Sequence, residues 1–182
     1  MGLDMYLKKK IYIGANYKHR NVKGEISITI YGKPVNINFG KVSYIEEQAA
    51  YWRKANAIHK WFVDNCQNGV DDCEEYSVGI EDLRKLLNKC EKVIKLSVLI
   101  KDSIPAGTRY SEGVETKTFE AGKVISNAKE IAEILPTQEG FFFGSEGYDE
   151  IYLEDVKYTV KMLKPLLAED SSNFEFYYQS SW

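Results

Sequence analysis

The hydrophobic residues of this chain change their spacing at Glu46, and this change limits the fold more than any other feature. Before it, apolar and polar residues alternate, as in LDMYLK at residues 3–8, which is the pattern of a half-buried strand. After it, apolar residues recur at helical spacing. The sequence therefore predicts an antiparallel sheet over residues 3–45 and a helix over residues 46–66 that packs on it.

The rest of the chain adds further helices and one last strand. Residues 80–100 and 152–163 keep helical spacing, a shorter helix is predicted over 127–135, and Pro165 is expected to end or kink its helix. The C-terminal FEFYYQSSW alternates again, which predicts a strand over 174–179 that joins the N-terminal sheet. With 182 residues and 44% hydrophobic composition, the whole chain is expected to form a single α+β domain.

Two polar side chains point into the apolar face of the predicted first helix. On a helical wheel, Asn56 and His59 fall within the apolar arc that includes Ile58 and Phe62. A buried polar group without a partner costs about 1–3 kcal/mol, so both side chains need hydrogen bonds. Two interpretations are open: a structural pair bonded to backbone, or a cleft in which Trp52, Asn56 and His59 face a ligand.

The opposite face of this helix is predicted to be solvated and carries Arg53, Lys54 and Trp61. Arg53 is a candidate ligand-binding residue because a guanidinium can meet a negatively charged group. A tryptophan among charges is more often a contact point than a free ring. Trp61 is therefore a candidate partner contact.

Two polar segments interrupt the regular elements. Residues 101–122 are rich in Gly, Ser and Thr and exceed most structureless connections in length, so a hairpin or a mobile flap is expected. The pair Asn68 and Gly69 predicts a turn that ends the first helix and leads into Asp71 and Asp72. These two carboxylates suit Mg²⁺ binding or general-base chemistry, whereas such runs are more often solvated turns.

The three cysteines are Cys66, Cys73 and Cys90, an odd number without a CxxC pair, which favours reduced thiols in a cytosol. His59, Cys66 and Cys73 are each separated by six residues, whereas zinc ligands usually include one closely spaced pair. Buried cysteines are therefore expected, and neither a metal nor a cofactor is predicted.

Charge is unevenly distributed along the chain. Residues 1–60 hold eleven Lys and Arg against four Asp and Glu, net +7, while residues 61–182 hold thirteen against twenty-three, net −10, for a total of −3. No basic cluster is interleaved with aromatic residues as in a nucleic-acid platform, so nucleic acid is a less favoured partner. The absence of a long apolar run and of a signal-peptide pattern predicts no membrane association and a cytoplasmic location.

Several motifs resemble a family of small proteins carried by bacteriophages and prophages. They are MGLDMYL, YWRKANAIHKWFV, QNGVDDC, LPTQEGFFFGSEGYDE and YYQSSW, which together span most of the chain. The resemblance implies a phage-type accessory protein in the cytoplasm of a bacterial host. The shared motifs contain these positions: Asp4, Trp52, Arg53, Asn56, His59, Trp61, Asp71, Asp72, Cys73, Tyr148, Asp149 and Trp182. The sequence has no glycine-rich phosphate loop, so it does not support the phosphoglycerate kinase label that such proteins sometimes carry.

Two functions from different classes are compatible with these features. In the first, the protein binds a host protein or a small nucleotide-like ligand without turnover and antagonises a host defence. In the second, it is a small metal-assisted hydrolase or transferase, with His59 as general base, Asn56 orienting it, and Asp71 and Asp72 holding the metal. The sequence leaves a homo-oligomer open.

Overall fold

The computed structural model describes residues 2–14, 23–111, 114–140 and 143–182 and shows an α+β fold. Its strands are β1 (Asp4–Tyr12), β2 (Ile28–Ile30), β3 (Lys33–Val35), β4 (Tyr44–Arg53), β5 (Tyr76–Val78), β6 (Leu99–Ser111), β7 (Val114–Ile125) and β8 (Phe174–Ser181). Its helices are α1 (Asn56–Cys66), α2 (Ile80–Leu96), α3 (Ala128–Ile134) and α4 (Glu150–Ala168).

The main sheet is antiparallel, with the strand order β4-β1-β8-β5. Along β1, Met5 and Leu7 are buried while Tyr6 and Lys8 are only partly covered, which is the alternation read from the sequence. The C-terminal strand β8 pairs along β1, with Leu7 opposite Tyr178. The predicted α+β class and the joining of the last strand to the sheet are confirmed.

The predicted first helix is wrong in its first half, because β4 occupies that stretch and pairs with β1. Ala50 and Trp52 are buried while Tyr51 between them is partly exposed, so the local period is that of a strand. Helix α1 begins only at Asn56, after Lys54 adopts a left-handed φ of 60°. Backbone hydrogen bonds to β1 stabilise this stretch as a strand, and they outweigh the helical spacing of its apolar residues.

Residues 3–45 do not form one continuous sheet. β2 and β3 pair only with each other, and their side chains are exposed. They are joined at Tyr31 and Gly32, with φ of 48° and 75°, and two positive φ values suit a tight two-residue hairpin turn. In the described part of this stretch, β1 and the first residues of β4 belong to the main sheet.

The longer helices contribute apolar faces to one core with the main sheet. α2 buries Leu83, Leu86, Cys90 and Val93, as its spacing predicts. α4 continues through Pro165 to Ala168, so, of the two alternatives expected for Pro165, an end of the helix near Lys164 is wrong. The last turn holds because Leu166 and Leu167 pack against the core, which offsets the hydrogen bond that proline removes. Within the described residues, no helix is long and apolar enough to cross a membrane.

Residues 101–122 belong to a long hairpin in which β6 and β7 pair from Leu99 opposite Ile125 towards the tip. The register shifts between Pro105 and Gly107, where Gly107 has a φ of 155°. Of the two predicted alternatives, the hairpin is confirmed.

Candidate functional site

A cavity of about 710 Å³ lies between the start of α1 and the start of α4. Its walls are the β4–α1 connection at residues 53–58, the loop at 144–147, the β6 bulge at 105–107 and the first turns of α4. Small-molecule and cofactor sites typically measure roughly 300–1,000 Å³. The volume therefore suits a ligand of nucleotide size.

The β4–α1 connection gives one wall of the cavity a positive charge. Arg53 and Lys54 are exposed, and the Arg53 Nη1 lies 3.8 Å from Asp4 Oδ1, at the outer limit of an ion pair. The backbone N–H of Lys54 donates to the Leu3 carbonyl at 2.8 Å, which holds the turn into α1. The N-cap of α1 is Ala55, which has no side-chain acceptor, so no capping carboxylate offsets the positive end of the helix. This wall favours anions.

The start of α4 supplies a carboxylate whose second oxygen has no partner. Asp149 caps the helix, and its Oδ1 accepts the N–H groups of Ile151 and Tyr152 at 2.9 and 3.0 Å. The residue is 2% exposed, and its Oδ2 has no hydrogen-bond donor among the described residues. This oxygen lies close to the loop at residues 144–147: a Cβ atom at Gly147 would be 3.3 Å from it. A buried charged group without a donor is costly and calls for an explanation.

A second carboxylate, that of Asp155, lies less than two turns further along α4 and also lines the cavity. Its side chain is partly buried and makes no hydrogen bond or ion pair within the described part of the chain. Burial, followed by the charges of Glu154 and Asp149, raises the pKa of Asp155 to about 7. Strongly shifted carboxyl groups in a cavity are characteristic of functional sites.

Asn56 shapes the cavity wall. Its Nδ2 donates to the carbonyls of Phe143 and Ser145 at 3.2 and 2.8 Å, and its Oδ1 accepts the Gln138 N–H at 3.4 Å. These bonds hold the loop at 143–145 against α1. The side chain is therefore bonded to backbone, as the first of the two interpretations proposed, although it also lies at the cavity.

His59 lies outside the cavity and is fully buried. Its Nδ1 is 2.8 Å from the Tyr178 hydroxyl and its Nε2 is 2.9 Å from Asp71 Oδ2. Because a carboxylate only accepts, the neutral ring donates from Nε2 and accepts the Tyr178 hydroxyl at Nδ1. Trp182 Nε1 donates to the other Asp71 oxygen at 3.0 Å. Burial lowers the pKa of His59, and Asp71 partly opposes that shift.

Asp71 and Asp72 do not act together. Asp71 belongs to the His59 cluster, whereas Asp72 is exposed and accepts the Glu74 N–H at 3.1 Å and the Tyr76 hydroxyl at 2.8 Å. In the described ranges, no group of three or more His, Cys, Asp or Glu side chains has a metal-binding arrangement.

The three cysteines are free thiols, of which Cys66 and Cys73 are partly buried and Cys90 is buried. Burial raises the pKa of Cys66 and of Cys90 to about 12. Thiols of this kind are protonated at neutral pH and are poor nucleophiles.

The two tryptophans of the opening motif belong to the core. Trp52 is 2% exposed, and its Nε1 donates to Thr159 Oγ1 at 2.9 Å. The predicted solvated position of Trp61 is wrong, because its ring is 4% exposed and packs edge-on against Phe62 at 5.2 Å between centroids. Trp61 belongs to the buried core, and it also lines a small cavity with Ile134 and Leu135 at the end of α3.

Comparison of the chain with protein-family models, with curated proteins and with solved structures finds no match. Of the predicted ligand-binding residues, the structure brings Arg53 and Asn56 to the cavity and places the others elsewhere: Trp52, His59, Asp71 and Asp72.

Sequence reasoning missed Asp149 and Asp155 as site residues. The one sequence feature that could have indicated them is an acidic residue, Asp155, next to the apolar face of α4 that carries Tyr152 and Val156.

Proposed function

We propose that the protein binds a small nucleotide-like ligand, without turnover, in the cavity between α1 and α4. The observation that carries this proposal is Asp149 Oδ2, a buried carboxylate oxygen at the cavity wall that finds no donor among the described residues. A ligand with N–H groups supplies such a donor. Its binding would then stabilise the folded protein as well as fill the site.

The charges around the cavity support a ligand with two chemically different ends. Arg53, Lys54 and the start of α1 favour a phosphate or a similar anion. Asp149 and Asp155 favour hydrogen-bond donors or positive charge, and Glu146 adds a third carboxyl group to the cavity lining. A nucleotide carries a phosphate and a base with N–H groups in one molecule, which is why this class is proposed.

The proposed biological role is that of a phage-type accessory protein that antagonises a host defence from the bacterial cytoplasm. The shared motifs support this origin. An antagonist that sequesters a small signalling molecule needs a tight site and no catalytic group. Binding of a host protein through Trp61 is less favoured, because that ring is buried.

The hydrolase alternative is not favoured by the geometry. His59 is fully buried, with both ring nitrogens hydrogen-bonded, so it has no position from which to activate water in the cavity. The lining residues include neither histidine nor cysteine in the described part of the chain. Asp155 is the lining group whose pKa lies near neutrality, so analysis of a nucleotide incubated with the protein for new products tests this alternative directly.

Isothermal titration calorimetry with the four ribonucleoside monophosphates tests the proposal. At least one nucleotide is expected to bind one site per chain. Arg53→Gln should raise its Kd about tenfold, since a charge-assisted contact to phosphate is lost. Arg84→Gln is the matched control, because Arg84 is similarly exposed but pairs with Glu81 on α2, away from the cavity. Absence of binding at about 1 mM nucleotide, or equal effects of the two variants, would overturn the proposal.

A further inference from the structure

We propose that the cavity takes a ligand whose phosphate is a diester, with a single negative charge, in preference to a phosphate monoester with two. This inference rests on the proposed function and names the ligand class of the same cavity. A phosphate monoester loses its second proton near about pH 6, so it carries close to two negative charges at pH 8. A diester has no second proton to lose and keeps one charge.

The first observation is the net charge at the basic end of the cavity. Arg53 and Lys54 supply two positive charges to the cavity lining. Asp4 stands beside the guanidinium, with its Oδ1 3.8 Å from Arg53 Nη1, and it also accepts the Tyr51 hydroxyl. Lys54 makes no ion pair with the residues that the structure describes. The net charge of this end is therefore +1, which matches one negative charge on a ligand.

The second observation is the acidic lining on the α4 side of the same cavity. It consists of three carboxyl groups, those of Glu146, Asp149 and Asp155. Asp149 is 2% exposed and Asp155 is partly buried, and salt screens buried charges less than exposed ones. After burial, the charges of Glu154 and Asp149 raise the pKa of Asp155, so the carboxyl groups of this segment already act on one another. A second negative charge on the ligand adds to this repulsion.

The titration of Asp155 gives the preference a pH dependence. Its pKa of about 7 means that it gains a negative charge between about pH 6 and pH 8. An anion in the cavity favours the protonated form of a nearby carboxyl group, so the affinity for a diester should fall as the pH rises through this window. The other charged or titratable groups of the lining are Arg53, Lys54, Glu146, Asp149 and Tyr152. Burial raises the pKa of Tyr152 above its usual range, so this phenol stays neutral throughout.

Calorimetric titration with the four ribonucleoside monophosphates, and with the methyl ester of each at its phosphate, tests the inference. The two members of a pair share the base and the sugar and differ at the phosphate by a methyl group and one charge. At pH 8 and a fixed salt concentration, the ester should bind at least about fivefold more tightly than its parent monophosphate. Its affinity should be higher at pH 6 than at pH 8.

Two variants separate charge from contacts of the added methyl group. Asp4→Asn keeps an oxygen for the Tyr51 hydroxyl and removes the negative charge beside Arg53. It should strengthen the binding of the monophosphate more than that of the ester, and reduce the preference to about twofold or less. Asp155→Asn should act in the same direction and remove the pH dependence between pH 6 and pH 8.

Asp64→Asn is the matched control. Asp64 also belongs to an ion pair, 3.0 Å from Lys60 further along α1, and it is not part of this cavity wall. Its replacement changes the charge of the protein equally and should leave the ratio of the two affinities unchanged. If Asp4→Asn does not fold, Asp155→Asn and the pH dependence of the unmodified protein decide the question.

Three results would overturn the inference, and they differ in what else they refute. If a monophosphate binds as tightly as its ester or more tightly at pH 8, the cavity binds nucleotides but does not prefer the diester. If the ester binds more tightly but neither Asp4→Asn nor Asp155→Asn narrows the difference, the methyl group and not the charge is recognised. If neither member of any pair binds at about 1 mM, the proposed function fails as well.

Discussion

Replacing Asp155 by asparagine is predicted to stabilise the protein above neutral pH. Burial, with smaller contributions from Glu154 and Asp149, raises the pKa of Asp155 from 3.8 to about 7. The folded protein therefore keeps a proton on this carboxyl group between about pH 4 and pH 7, where the unfolded chain has lost it. The free energy of unfolding falls as the pH rises through that window, and the loss is complete above it. Asparagine does not ionise, so the Asp155→Asn variant does not lose this free energy of unfolding as the pH rises.

The size of the effect follows from the shift. A rise of about 3 pKa units corresponds to at most about 4 kcal/mol, at 1.36 kcal/mol per unit. Asp155 is only partly buried and water screens its charge, so about 1–3 kcal/mol is expected. For a chain of this size, 1 kcal/mol shifts the melting temperature by about 2–4 °C. The variant should therefore melt about 2–12 °C above the unmodified protein at pH 8 and nearly match it at pH 4.

The assay is thermal unfolding followed by circular dichroism between pH 4 and pH 9, with Asp170→Asn as the control. Asp170 is exposed, so its replacement should give no gain that grows with pH. A melting temperature of Asp155→Asn at or below that of the unmodified protein at pH 8 would refute the reasoning. The ionised Asp155 side chain would then not destabilise the folded protein, and its presence in the cavity would not point to a ligand.

Four further predictions concern residues of α1. His59→Ala should lower the free energy of unfolding by about 1–3 kcal/mol in urea, because Tyr178 and Asp71 both lose a partner. Burial lowers the pKa of His59, so the unfolded chain gains a proton below about pH 6.5 that the folded protein excludes. In Asp155→Asn, which lacks the opposite contribution of Asp155, stability should therefore fall as the pH drops below that value. Trp61→Ala should cost about 3–5 kcal/mol in the same assay, because its ring is buried. Asn56→Ala should speed amide hydrogen exchange at residues 143–147, because the loop loses two hydrogen bonds.

Controls and contrary outcomes follow from the same contacts. Phe119→Ala removes an aromatic ring that is 59% exposed, and it should cost far less than Trp61→Ala. Comparable losses would mean that Trp61 is not a core residue. In Asp155→Asn, where the opposing contribution of Asp155 is absent, a flat stability profile between pH 5 and pH 7 would contradict a buried neutral His59. Unchanged exchange in Asn56→Ala would show that the loop does not depend on that side chain.

Much of the fold could be predicted from local periodicity. β1, β8 and α2 each bury one face along their length, and a one-sided burial pattern is visible in a single sequence. β4 was missed because the spacing of its apolar residues fits a helix as well as a strand, and its pairing partner lies some forty residues earlier in the chain. Trp61 was misplaced for a related reason, since its burial comes from tertiary packing, and residues 133–136, which share a small cavity with it, are distant in sequence.

The candidate site was predictable only in part. Asn56 stood out because a polar side chain is unusual on an apolar helix face, and Arg53 because a guanidinium can meet a negatively charged group. Asp149 and Asp155 gave a weaker signal. An acidic residue at the start of a helix is common, and the second carboxylate oxygen of Asp149 is shielded from water only by tertiary packing. The raised pKa of Asp155 likewise arises from burial that no local pattern encodes.

The most direct test of the central claim is a nuclear magnetic resonance titration of the ¹⁵N-labelled protein with GMP. If the cavity is a nucleotide site, the largest shift changes will fall on residues 53–58, 144–149 and 151–156, and they will saturate together at one equivalent per chain. Shift changes that cluster instead on the exposed face of the main sheet or on the β2–β3 hairpin, or no saturable change at all, would contradict the claim.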